Sequence, residues 1–209
     1  MRPSQRTVQT VHGPARVSIY RPQGQLVGTI LLGHGAGGGT DAADIQALLP
    51  LIDDGWTLAL IDQPWRLAGK KIATTPPTLD AATREVAASL AKGRGALSRP
   101  WIIGGRSAGA RVACRLATEL DVAGVLNLAF PLHPPGKPEK CRAPELLLPV
   151  NAAIPTLVVQ GLKDPFGSPA EVQAVHESVR VVSVPGNHSP SRDLPAVLDA
   201  ARSFVQALT

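Results

Sequence analysis

Short apolar runs alternate with stretches of helical spacing along most of this chain of 209 residues. Two extended segments at the start, 6–11 and 15–20, flank His12-Gly13-Pro14 and predict a hairpin. Further apolar runs, which favour strands, lie at 29–32, 56–62, 100–104, 122–130, 156–160 and 179–184. Stretches that favour helix follow most of these runs, at 41–53, 79–90, 108–120, 169–178 and 194–208. Because strands joined by helices need crossover connections, this order predicts an α/β fold, with a mainly parallel sheet of about seven or eight strands and helices on both faces.

One α/β domain spanning residues 1–209 is expected, because the length suits a single core and no linker-like segment divides the chain. Hydrophobic residues make up 44% of the chain but aromatic residues only 3%, so the core must rely on Ala, Val, Leu and Ile. The proline-rich segment 131–149 is too short for a domain and is predicted to be a surface loop.

Charge and cysteine content argue against several classes of protein. The formal net charge is +5, and the basic residues are scattered, so no nucleic-acid partner is expected. No apolar run reaches the ~18 residues of a membrane span, and the first residues lack the apolar core of a signal peptide. We therefore expect a cytoplasmic protein without a membrane partner. Cys114 is predicted to pack in the core, and with Cys141 it forms neither a disulfide framework nor a metal-ligand spacing, so no metal or organic cofactor is expected.

Gly105-Arg106-Ser107-Ala108-Gly109 stands between the apolar run 100–104 and the helical stretch 108–120. A Gly-x-Ser-x-Gly pentapeptide at such a junction places its serine on a sharp, strained turn, and the glycines let neighbouring backbone pass close by. Sites in open α/β sheets form at the carboxyl ends of the strands. The sequence therefore predicts that Ser107 is exposed at that edge as a nucleophile.

Asp164 and His188 also follow predicted strands, so they are expected to meet Ser107 at the same edge. A free hydroxyl is a weak nucleophile near neutral pH and needs a base within hydrogen-bond reach. His188 can take the proton and return it to the leaving group, while Asp164 holds the imidazole in the right tautomer. We predict a catalytic triad of these three residues.

The glycine-rich segment 33–39 follows the first parallel strand and is predicted to line an oxyanion hole. One backbone N–H donor is expected from Ala108, the residue after the nucleophile, and another from Ala36 or Gly37. His34 precedes these donors and is expected to have a structural role, held by a hydrogen bond.

Some acidic residues and the glycine-rich segment also have other interpretations. Asp164 could be a turn former, and Asp193 is predicted to cap the last helix. Asp62 is a rival acid, although it precedes the serine. The segment 33–38 also contains Gly-x-Gly-x-x-Gly, the fingerprint of a dinucleotide site for which Asp62 would be the ribose acid. That interpretation leaves Ser107 and its partners unexplained, and a phosphate-binding P-loop is excluded because Gly39 stands where its lysine should be.

With these motifs the chain resembles the small α/β-hydrolase-fold proteins of the dienelactone-hydrolase-like type. It is most similar to predicted hydrolases related to testis-expressed protein and to a subunit of the non-specific-lethal acetyltransferase complex. The stretches that carry the resemblance are 33–37, 104–111, 130–140, 160–167 and 186–188. The resemblance implies an α/β-hydrolase fold and the triad Ser107, Asp164 and His188. Ala108 and Ala110 depart from the family, which often has Met and Gly there, but neither change removes a backbone N–H.

We therefore expect a serine hydrolase that cleaves a carboxylic ester or thioester of a small molecule through an acyl-enzyme. The span 133–155 is too short for a lid domain, so a shallow, accessible site is predicted. Its expected pocket residues are His34, Arg106, His133 and Phe166. Arg106 and His133, with Lys137, would favour an anionic substrate, although Arg106 could instead form a structural ion pair. The alternative function is an idle hydrolase fold that serves as a protein-interaction module, and the oligomeric state is left open.

Overall fold

Eight strands form one sheet in a computed structural model, which describes residues 2–209. Met1, where the predicted domain begins, lies outside the described residues. The strands are β1 (Ser4–Thr10), β2 (Gly13–Tyr20), β3 (Gly28–Gly33), β4 (Trp56–Asp62), β5 (Trp101–Arg106), β6 (Gly124–Leu128), β7 (Thr156–Gly161) and β8 (Val179–Val184). Their order in the sheet is β1-β2-β4-β3-β5-β6-β7-β8. The first two strands are antiparallel and the other six run parallel, which confirms the predicted hairpin and the mainly parallel sheet.

Within residues 2–209, seven α-helices connect or follow the strands. They are α1 (Ala43–Gln46), α2 (Pro64–Leu67), α3 (Pro76–Leu90), α4 (Ala108–Leu116), α5 (Ala143–Asn151), α6 (Pro169–Gln173) and α7 (Leu194–Gln206). The N-terminus of α7 is capped by the Asp193 carboxylate, which accepts from Ala196 N at 3.1 Å, as predicted.

The predicted helix over 41–53 is wrong as a single element. The chain forms α1 and then a separate 3₁₀ turn at Leu49–Ile52. Pro50 lies inside the predicted helix and has no N–H to donate, so a continuous helix would lose a backbone hydrogen bond there. Two further helices, α4 and α6, end several residues earlier than predicted.

The segment 131–149 is more ordered than the predicted surface loop, because it contains a 3₁₀ turn at Pro138–Lys140 and most of α5. Pro144 lies in the first turn of α5, where its missing N–H costs nothing. Leu146 is fully buried against the core, which ties the helix to the sheet.

Apolar layers cover both faces of the sheet, as the sequence predicted. Leu31 and Ile103 lie in the layer that includes α3 and α4, whereas their neighbours Ile30 and Ile102 lie in the layer that includes α1 and α7. Successive strand residues point to opposite faces, and here both sets are apolar because both faces are covered.

The parallel strands all end at one edge of the sheet. At this edge Gly33 of β3 pairs with Gly105 of β5, and Arg106 pairs with Leu128 of β6. The segments after β3, β5, β7 and β8 therefore leave the sheet on the same side, and they carry the predicted site residues.

Candidate active site

Ser107 sits on a tight turn between β5 and α4. Its φ of 53° and ψ of −107° lie in a region that side chains other than glycine rarely adopt. The turn is held because Ser107 N donates to Leu128 O at 3.0 Å and Gly109 N donates to His34 O at 3.1 Å. A Cβ at Gly109 would overlap the Gly33 carbonyl, so α4 can approach β3 this closely only with glycine there.

The three predicted triad side chains form a continuous hydrogen-bonded chain. Ser107 Oγ lies 2.8 Å from His188 Nε2, and His188 Nδ1 lies 2.8 Å from Asp164 Oδ2. The Asp164 side chain is fully buried, whereas the imidazole keeps partial access to solvent. The carboxylate accepts at Nδ1, so Nδ1 carries a proton and neutral His188 can accept the serine proton at Nε2.

Further groups hold the acid and the imidazole. Asp164 Oδ1 accepts from Phe166 N at 2.9 Å, and Asp164 Oδ2 accepts from Gln160 Nε2 at 3.0 Å. Asp164 therefore both stabilises its turn and contacts His188. The Phe166 ring stacks on the His188 imidazole with centroids 4.1 Å apart, so this predicted pocket residue packs directly on the triad.

Sequence reasoning missed Gln160, whose amide nitrogen also donates to Gly167 O at 2.8 Å and lies 3.2 Å from Phe130 O. It is fully buried as the penultimate residue of β7 and directly follows three apolar residues. A polar side chain at the end of such a run is the signal that could have drawn attention to it, because buried polar groups are generally hydrogen-bonded.

The glycine-rich segment after β3 lies against Ser107, since a Cβ at Gly35 would stand 3.4 Å from Ser107 Cβ. Among residues 2–209, the N–H groups of Ala36, Gly37 and Ala108 have no hydrogen-bond acceptor. Ala108 N–H also belongs to the first turn of α4, where the helix dipole favours negative charge. These three N–H groups therefore stay without a protein partner in the described part of the chain.

His34 is buried and has the structural role that was predicted. Its Nδ1 donates to Gly35 O at 2.9 Å, and its Nε2 accepts from Gln63 N at 3.1 Å. A backbone N–H can only donate, so Nε2 is unprotonated and the ring is neutral. Burial lowers the pKa of His34, which outweighs the opposing effect of the Gly35 carbonyl.

Arg106 makes the ion pair that was the alternative to a substrate contact. Its Nε lies 2.9 Å from Asp44 Oδ2, while Nη2 donates to His188 O at 3.0 Å and to Ser189 Oγ. The Asp44 side chain is only 2% exposed. Burial raises the pKa of Asp44, and the positive charge of Arg106 acts against that rise.

His133 is also engaged by the protein. Its Nδ1 lies 3.0 Å from Pro134 O and its Nε2 lies 3.3 Å from Glu171 Oε1, so it ties the segment after β6 to α6. Lys137 is exposed in that segment. These contacts account for His133 without a substrate.

The structure does not support Asp62 as the acid of the site, nor the segment 33–38 as a dinucleotide fingerprint. Asp62 pairs with Arg16 at 2.9 Å and accepts from Thr40 Oγ1 at 3.1 Å, so it is not directed at Ser107. The first helix after Gly38 begins only at Ala43 and has four residues, so the segment does not open a helix as a dinucleotide fingerprint does.

No group of three or more His, Cys, Asp or Glu side chains that could hold a metal ion occurs within residues 2–209. In the same part of the chain, none of the helices combines the length and the apolar character that crossing a membrane requires.

This fold matches that of known proteins. The chain belongs to the alpha/beta hydrolase domain family, whose model matches residues 27–193. Among solved structures it is similar to a lidless α/β serine hydrolase from Xanthomonas campestris, with a TM-score of 0.72 and 19% identity over 99% of this chain and 95% of that one. No curated protein matches the chain in sequence.

Two enzymes show the same architecture. Est1E from Butyrivibrio proteoclasticus has a TM-score of 0.75 and 16% identity over 98% of each chain. A dienelactone hydrolase from Anabaena variabilis has a TM-score of 0.72 and 19% identity over 99% of each chain. These likenesses confirm the α/β-hydrolase fold without a lid domain, with esterases and serine hydrolases among its structural neighbours.

Proposed function

We propose that this protein is a serine hydrolase that cleaves a carboxylic ester or thioester through an acyl-enzyme at Ser107. The observation that carries the proposal is the hydrogen-bonded chain in which Ser107 Oγ and Asp164 Oδ2 each lie 2.8 Å from a different nitrogen of His188. Nucleophile and base side chains within about 2.6–3.2 Å, with the base oriented by a third group, are the signature of an activated hydroxyl.

In the first half-reaction His188 Nε2 takes the proton of Ser107 as Oγ attacks the carbonyl carbon of the substrate. The resulting oxyanion receives hydrogen bonds from Ala108 N–H and from Ala36 or Gly37 N–H. When the tetrahedral intermediate collapses, His188 gives the proton to the departing alcohol or thiol. One such oxyanion donor contributes about 10²–10³ in rate.

In the second half-reaction water attacks the acyl-enzyme while His188 takes its proton. The carboxylic acid leaves and Ser107 regains its hydrogen. Asp164 stays ionised throughout, keeps Nδ1–H directed toward itself and stabilises the imidazolium. The buried position of this carboxylate, with donors from Phe166 N and Gln160, supports that role because its orientation is held from two sides.

The class of substrate is proposed from the fold and its neighbours. Est1E is solved with ferulic acid bound, and another neighbour is a dienelactone hydrolase. We infer a small ester that reaches an open site without passing a lid. We also propose that the chain is more closely related to the hydrolases related to testis-expressed protein and to the non-specific-lethal complex subunit.

The test is covalent labelling with a fluorophosphonate probe, followed by intact-mass analysis. Wild type should gain one adduct, whereas Ser107→Ala should gain none and His188→Ala should react far more slowly. Ser203→Ala is a matched control, because Ser203 is exposed on α7, three residues before the end of that helix. Folded wild type that does not react with the probe, and does not hydrolyse p-nitrophenyl acetate, would contradict the proposal and favour an interaction module.

A further inference from the structure

The guanidinium of Arg106 lies where three parts of the proposed active site meet. It contacts Asp44 through Nε and the main chain of His188 through Nη2. It also borders the oxyanion segment, because a Cβ at Gly35 would stand 2.9 Å from Nη1. Arg106 directly precedes Ser107 in the chain, so one residue links the nucleophile to the segment that carries the base.

The anchor of this arrangement is Asp44 in α1. Its Oδ1 accepts from Ile45 N at 3.0 Å, and its Oδ2 faces Arg106 at 2.9 Å. A carboxylate buried this deeply is costly without a counter-charge. Neither atom of this contact has a hydrogen-bond partner within residues 2–209, so the pair is held by charge. Arginine stays protonated at any physiological pH and therefore supplies that counter-charge throughout.

The segment that carries His188 needs such support. Residues 185–193, between β8 and α7, contain no helix or strand. Near the sheet the segment is held where Lys163 N donates to Gly186 O at 2.9 Å. At His188 itself the carbonyl oxygen accepts from Arg106, and the next side chain, Ser189, accepts from the same Nη2.

We propose that Arg106 is a positioning residue, which holds the His188 main chain at Ser107 by bridging it to the buried carboxylate of Asp44. This inference rests on the proposed function and extends it. It also replaces the expectation that Arg106 attracts an anionic substrate, since its charge is already paired within the protein. A displacement of about 1 Å in a catalytic group can lower the rate by about 10²-fold, so loss of the bridge should act on kcat.

The kinetic test compares Arg106→Met with Arg99→Met. Arg99 is a matched control because it lies before β5, at the opposite end of the strand, and donates to Asp121 O at 2.6 Å and Leu120 O at 3.2 Å. With p-nitrophenyl acetate, Arg106→Met should lose about 10- to 100-fold in kcat with little change in KM. Arg99→Met should keep wild-type values.

Two further comparisons separate positioning from substrate binding. Arg106→Lys should recover part of kcat, because one ammonium can reach Asp44 or the His188 carbonyl but cannot span both as the guanidinium does. KM for the anionic ester p-nitrophenyl succinate should change no more than KM for the neutral acetate. A selective rise in KM for the anionic ester would instead assign Arg106 to substrate binding and overturn the inference.

Hydrogen–deuterium exchange tests the bridge without relying on activity. The amides of 186–192 should exchange faster in Arg106→Met than in wild type, and at the wild-type rate in Arg99→Met. Asp44→Asn, which removes the anchoring charge, should accelerate the same amides and serves if Arg106→Met does not fold. Unchanged exchange in both site variants, or unchanged kcat, overturns the inference. Inactive wild type with accelerated exchange in the variants would refute the proposed function but retain the bridge.

Discussion

A partly buried set of ion pairs joins α3, α4 and α5, and Glu145→Gln should weaken it. Glu145 of α5 accepts from Arg111 at 2.6 and 2.8 Å and from Arg115 at 2.8 Å, both on α4. Arg115 in turn pairs with Asp80 of α3 at 2.7 Å. The variant keeps the shape of the side chain at 145 but removes the negative charge between two guanidinium groups.

The magnitude follows from the three hydrogen bonds. A hydrogen bond to a charged group contributes about 1.5–3 kcal/mol and a neutral one about 0.5–1.5 kcal/mol, so each bond should weaken by roughly 1 kcal/mol. The Glu145 side chain is 21% exposed, which allows some screening by solvent. Because of this screening we expect a loss smaller than the sum over the three bonds, and the free energy of unfolding should fall by about 2 kcal/mol. For a chain of this size that is a drop of about 4–8 °C in Tm.

Urea denaturation at neutral pH measures this change, with Glu119→Gln as the matched control. Glu119 also accepts from both sides of one guanidinium, that of Arg84, but its side chain is 46% exposed. An exposed pair contributes only about 0–1 kcal/mol. If the control loses as much stability as Glu145→Gln, burial does not determine the strength of these pairs and the reasoning is refuted.

The pH dependence of this difference has a definite sign. Burial raises the pKa of Glu145, but the bonds and charges of Arg111 and Arg115 outweigh it, so the pKa lies below its ordinary value of 4.5. A carboxylate with a lowered folded-state pKa stabilises the fold fully above that ordinary value. The stability difference between wild type and Glu145→Gln should therefore be constant at higher pH and shrink as the pH falls through the folded-state pKa.

Three other variants test the site and its surroundings. Asp164→Asn should lower kcat by about 10³–10⁴-fold, measured with p-nitrophenyl acetate, because the amide can stabilise the wrong tautomer of the imidazole; a loss under tenfold would contradict a triad. Gly109→Ala should lower the yield of folded protein sharply, since its Cβ would overlap the Gly33 carbonyl, whereas Gly37→Ala, which meets nothing within 4 Å, should fold normally. His34→Asn should reduce the loss of unfolding free energy between pH 7 and 5. A histidine whose folded-state pKa is lowered below 6.5 destabilises the fold as the pH falls from 7 to 5, because the unfolded chain then binds the proton more readily. Equal dependence of the unfolding free energy on pH in wild type and variant would show that His34 does not cause the loss.

The proximity of the three proposed triad residues could be predicted from the sequence, because each follows its own strand and has a residue type with a defined chemical role. Ser107, Asp164 and His188 needed only the rule that parallel strands end at one edge. The bridge through Asp44 could not be predicted in this way. Asp44 lies in a segment that the sequence favours as one helix, and nothing in local spacing shows that its carboxylate is buried against an arginine 62 positions further along the chain.

The errors in the helices have a related cause. Local periodicity reports which residues are apolar, but a helix ends where its backbone hydrogen bonds end. Pro50 divides the predicted helix 41–53. The error at 131–149 is the opposite one, because a segment predicted to be a surface loop contains a packed helix, as the burial of Leu146 shows.

The strand order explains why the base needs support from outside the sheet. Ser107 follows β5 and His188 follows β8, and β6 and β7 lie between them. With neighbouring strands about 4.8 Å apart, the segment after β8 must return across about 14 Å to reach the serine. It crosses the end of β7 against Gly161, where a Cβ would overlap the Asn187 carbonyl. Beyond that point Arg106, at the end of β5, donates to the His188 carbonyl while its charge pairs with Asp44. In our proposal the residue that precedes Ser107 therefore also helps to position the base.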